Sequence, residues 1–123
     1  MLVAFSVAPS GTPTDAARGI PDATGPGSAD ASVHDAVAAA VRIVRESGLP
    51  HRTTSMFTEI EGEWDEVFAV IKRATDAVLP FGSRVSLVLK ADIRPGFTGE
   101  IEGKIARLER ALDTPPDSDF ESV

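Results

Sequence analysis

The chain has 123 residues, about the size of one domain, and 42% of them are hydrophobic, enough for a core. Nineteen acids against twelve bases give a formal charge of −7. With no Lys/Arg cluster, this argues against a nucleic-acid backbone as partner. No apolar run approaches the ~20 residues of a membrane-spanning helix, and the absence of cysteine removes disulfides, thiolate metal sites and cysteine nucleophiles.

Leu2–Ala8 alternates and reads as the first strand, ended by Pro9 and Gly11. No basic segment precedes it as in a signal peptide, so a cytoplasmic protein is expected. Residues 13–31, rich in Pro, Gly, Ser, Asp and Ala, form a flexible loop by composition. Ser32 then serves as N-cap of a helix running to about Ser47, with Val33, Val37, Val41 and Val44 along one face. Arg42 and Arg45 fall on another side of that helix. Gly48 and Pro50 stop it.

The stretch TTSMFTEIEG, Thr53–Gly62, comes next. His51–Thr54 and Phe57–Glu61 read as two short strands with a bend at Ser55–Met56, the middle pair of a four-stranded sheet. Glu63–Leu79 is a second helix. Its acidic N-terminus suits the helix dipole, and Val67, Phe68, Ile71, Ala74 and Val78 form its apolar stripe. Arg84–Ile93 is the strongest strand, with Val85, Leu87, Leu89, Ala91 and Ile93 on one face. After Pro95-Gly96, Glu100–Leu112 forms a third helix with Ile101, Ile105, Leu108 and Leu112 inward. Residues 113–123 are an acidic tail, disordered by composition.

The order β-α-β-β-α-β plus a C-terminal helix predicts an α+β fold. It is a single ferredoxin-like domain over residues 1–112, with two helices on one face of a four-stranded antiparallel sheet. The partly apolar rows of the other face need cover from the third helix, a partner subunit or both. No phosphate-loop, dinucleotide or zinc-protease motif is present. His34 and His51 are the only histidines, so a tight transition-metal site is not expected. Glu59 and Glu61, two apart on a strand, are a poor candidate for a catalytic acid pair. Trp64 is open to two readings, a ring-stacking residue or a partly buried helix start.

Four blocks together resemble one family: PSGT at 9–12, SMFTEIEGEWDEV at 55–67, KADIR at 90–94 and EIEGKIARLERAL at 100–112. In that order, on those elements, they resemble the small thiamine-binding protein family. The resemblance implies a ferredoxin-like fold with an added C-terminal helix, a homo-oligomer (dimer or tetramer), and non-catalytic binding of thiamine or its hydroxymethylpyrimidine moiety. Carried over by position, it implicates Thr12, Ser32, Met56, Thr58, Glu61, Asp92 and Arg94. Two departures are visible. Ser55 and Phe57 stand where the family has proline and glycine around the Met, and the 13–31 loop is longer.

Such a ligand needs carboxylates, hydroxyls and an apolar or aromatic wall. Glu61 and Asp92 can supply the first. Thr12, Thr54, Thr58 and Ser32 can supply the second, and Met56 and Phe57 the third. Plainer readings stay open: Glu61 as a solvated strand end, Asp92 paired with Arg94, Met56 in the core, and Thr58 as an ordinary β-former. No cofactor, metal or catalytic residue is expected. Two other functions compete: a regulatory or oligomerisation domain binding another metabolite between subunits, and a cofactor-free oxygenase built around Trp64 and His51.

Overall fold

The structure is a computed structural model that describes residues 1–13 and 28–114, with the side chains of 28–32 outside the description. The elements are β1 (Leu2–Ser10), α1 (Ser28–Glu46), β2 (His51–Thr53), β3 (Thr58–Glu61), α2 (Trp64–Val78), β4 (Arg84–Asp92) and α3 (Glu100–Asp113). A 3-10 turn, Leu79–Phe81, follows α2. The sheet order is β2-β3-β1-β4, all antiparallel, which is the ferredoxin-like arrangement.

The core follows from alternation. Val3, Phe5 and Val7 of β1 and Ile60 of β3 point to one face. There they meet Ala36, Ala40 and Val44 of α1 and Val67, Val70, Ile71, Ala74 and Val78 of α2. Each fully buried Val or Ile contributes about 1.5–3 kcal/mol. The small residues Ala36, Ala40 and Ala74 let the two helices sit close on the sheet.

Several boundaries differ from the expected ones. α1 begins at Ser28, so Ser32 lies inside the helix instead of capping it, and residues 28–31 of the anticipated loop are helical. The alanines at 29 and 31 are strong helix formers. The rest of that loop, 14–27, and the tail from 115 lie outside the described residues. β1 continues through Pro9 to Ser10 and pairs with β4 throughout, but with β3 only over Leu2–Phe5. Proline is tolerated where one side of a strand is free. β2 is an edge strand, not part of a central pair.

β4 is the other edge and overhangs the helices. Leu87 and Leu89 lie on the helix side, since they pair with Val7 and Phe5, yet both remain more than a third exposed. Ile93 falls outside the strand and is exposed. In α3 the expected inward row also fades. Ile101 is buried, whereas Leu108 and Leu112 are exposed.

At the end of β1, two backbone segments touch. Gly82 lies so close to β1 that a Cβ there would come within 2.4 Å of the Ser10 carbonyl oxygen. Gly11, at φ 81°, leaves no room for a Cβ beside Ser83 Oγ. The PSGT block therefore owes its glycine to this packing.

Candidate functional site

The two ends of the sheet differ in what they offer a ligand. At the Leu2 end, Leu2 pairs with Glu61 on one side and Asp92 on the other. The Glu61 carboxylate is buried and points at the start of α3. The Glu100 N–H donates to both carboxylate oxygens at 2.9 Å, and the Ile101 N–H donates to one at 3.3 Å. The cap position of α3 is Gly99, at φ 67°, which has no side chain to satisfy those amides. A carboxylate from β3 does so instead, and its charge also suits the helix dipole.

Other charges tie α3 down. Arg52 of β2 pairs with Glu102 at 2.6 Å, and Arg107 pairs with the buried Glu100 at 2.7 Å. Asp92 pairs with Lys104. That hydrogen bond and the Lys104 charge hold the Asp92 carboxyl below its ordinary value. Asp92 does not use Arg94 as its partner. Arg94 lies past the strand, with its guanidinium 3.6 Å over the Phe97 ring. With Trp64 and Glu63 it lines a surface recess of about 340 Å³. Trp64 is exposed and packs on Phe68 at 4.9 Å. His51 is not part of this recess; its Nδ1 is 2.9 Å from the Leu49 carbonyl oxygen.

The opposite end holds a cleft of about 260 Å³. It forms because β3 stops pairing with β1 at Phe5, and the chain from Thr54 to Phe57 turns back. The turn is closed by Thr54, whose N–H and hydroxyl donate to the Phe57 carbonyl at 2.9 and 3.0 Å. The Phe57 N–H in turn donates to the Thr54 hydroxyl at 3.3 Å. Beyond Phe5, Ser6–Ala8 have no strand on their β3 side. On that side the Val7 N–H and C=O, which the antiparallel alternation turns away from β4, face no strand.

One wall of the cleft is Val33, Val37 and Val41 of α1; another is Met56 and Phe57; Phe5 and Thr58 also line it. Among the described residues, none that lines it is charged. Of the residues singled out in the sequence, the structure brings Thr54, Met56, Phe57 and Thr58 together here. Glu61, Asp92 and Arg94 are at the other end. Thr12 is exposed beyond β1 and does not line the cleft, and Ser32 is in the helical turn just before Val33.

Sequence reasoning missed the valines. Val33, Val37, Val41 and Val44 looked like one core face, but only Val44 is fully buried. Val33 and Val37 are 42% and 43% exposed. The signal was present in the row Ala36, Ala40, Val44, which fills the core and leaves the valine row over. Among the described residues, no group of three or more His, Cys, Asp or Glu is placed to hold a metal ion. No described helix is long and apolar enough to cross a membrane.

Comparison with known proteins agrees with this architecture. A protein of Mycobacterium bovis of the UPF0045 group is 45% identical over 116 residues, covering 94% of this chain and 97% of its own. A solved structure of a hypothetical protein from Methanocaldococcus jannascii superposes with a TM-score of 0.67 at 28% identity, covering 88% of this chain and 94% of the other. A protein of Thermotoga maritima, provisionally assigned to thiamine biosynthesis or salvage, shares the fold with a TM-score of 0.61 at 20% identity, covering 86% of this chain and 97% of the other. The family model described as "Thiamine-binding protein" matches residues 20–109, and the chain belongs to that family.

Proposed function

We propose that this chain binds thiamine, or its hydroxymethylpyrimidine moiety, without transforming it, and that the pyrimidine ring enters the cleft between α1 and the β2–β3 turn. The observation that carries the reading is the cleft itself, with valine, methionine and phenylalanine walls beside an unpaired strand edge. A flat aminopyrimidine needs such walls for its faces and backbone or hydroxyl groups for its edge. Phe57 and Met56 stack on the ring; Thr58 and the Val7 backbone meet its nitrogens. The protein acts in the cytoplasm, without a cofactor, as a buffer or an accessory to salvage or transport.

Isothermal titration calorimetry with thiamine and with hydroxymethylpyrimidine tests this. Saturable binding of at least one is expected; no heat with either at millimolar concentration defeats the reading.

The oligomeric state is part of the proposal. Val88 on the helix-free sheet face and Leu108 and Leu112 of α3 are 56%, 59% and 73% exposed, an apolar set that a second copy would cover. The same face would serve the alternative function, an oligomerisation domain that binds another metabolite between subunits. Sedimentation should give a dimer or tetramer, and Leu108→Glu should shift it toward monomer.

A further inference from the structure

α1 presents three adjacent rows. Ala36, Ala40 and Val44 are in the core, and Val33, Val37 and Val41 wall the cleft. His34, Ala38, Arg42 and Arg45 lie one step further round and line a shallow groove of about 610 Å³. The groove is continuous with the cleft, because Val33, Val37, Val41 and Ser55 border both. Arg42 and Arg45 are about 4.5 Å apart along the helix axis and on neighbouring turns, close enough to share one anion.

The charge distribution here runs against the chain as a whole. The protein carries nineteen acids and a net charge of −7, yet among the described residues no acidic side chain lines either the cleft or the groove. Among the described residues, neither Arg42 nor Arg45 makes an ion pair, whereas Arg52, Lys104 and Arg107 all do. An uncharged slot for a ring thus opens onto a pair of unengaged guanidinium groups.

Resting on the ring-binding reading above, we infer that the preferred ligand is a phosphate monoester, with its ring in the cleft and its phosphate on Arg42 and Arg45. Guanidinium groups pair with phosphate oxygens through charge-assisted hydrogen bonds, often two at a time. A thiazolium ring would bring positive charge to the same place. The geometry therefore favours the phosphorylated pyrimidine half over intact, unphosphorylated thiamine.

Calorimetry with hydroxymethylpyrimidine and with its phosphate monoester, on the wild type and on R42Q/R45Q, tests this. The monoester should bind about tenfold more tightly to the wild type. The ratio of the two affinities should fall toward one in the double variant, and should shrink for the wild type as salt is raised. A wild-type ratio of one or less overturns the inference, as does an advantage that survives in R42Q/R45Q or is insensitive to salt. The two failures are distinguishable. If the alcohol binds and the phosphate adds nothing, the phosphate site alone is lost; if neither binds, the ring reading falls and takes this inference with it.

Discussion

At the Leu2 end of the sheet, polar groups are satisfied by other parts of the chain: Glu61 by two α3 amides, Asp92 by Lys104, Arg52 by Glu102. At the β2–β3 turn, apolar side chains stay uncovered and a strand edge stays unpaired. Carboxylates that look like ligand groups in the sequence thus hold α3 in place, while the residues free to meet a ligand are mostly apolar. Polar groups already engaged have little to gain from a ligand, whereas an open apolar cleft gains by being filled.

Three substitutions probe this division. Glu61→Ala should have the largest effect, because it strands two α3 amides in a buried place. A loss of about 2–3 kcal/mol in stability is expected by chemical denaturation, with little change in affinity for the ring ligand at temperatures where the variant is folded. A large loss of affinity with stability intact would reverse the assignment of the two ends. Phe57→Ala should behave oppositely. Affinity should fall about tenfold for the lost aromatic wall, and stability should change by less than about 1 kcal/mol because the side chain is already partly exposed.

The smallest effect concerns pH. The folded Asp92 carboxyl titrates below its ordinary value of 3.8 because of Lys104. Such a group binds fewer protons folded than unfolded. Its contribution is therefore complete above the ordinary value and disappears as pH falls through the lower, folded one. Asp92→Asn should flatten that acid limb of a stability–pH curve and leave the neutral region nearly unchanged, since the pair is solvent-exposed.

Much of the fold was legible because its signals are local. Alternation marked β1 and β4, and the four-step spacing of apolar residues marked the helices. Glycine and proline marked most of the stops. What was not legible depends on partners far away in the chain. Nothing near Glu61 reveals that Gly99 leaves α3 uncapped. Nothing in β4 reveals that the helices stop short of Leu87 and Leu89. The site was half legible for the same reason. Thr54, Met56, Phe57 and Thr58 share one turn and arrive at the cleft together. Val33 and Val37 belong to it only because β3 ends early and leaves them uncovered.

The placement of Trp64 has a practical optical consequence. It is the only tryptophan in the chain, it is half exposed, and it lines the recess with Arg94 and Phe97, which shares no residue with the cleft. Emission excited at the red edge of protein absorption therefore monitors one end of the molecule alone. A compound that fills the cleft should leave the spectrum nearly silent, and one that quenches or shifts it has gone to the other end. The chain thus carries an intrinsic means of telling the two surfaces apart without any label.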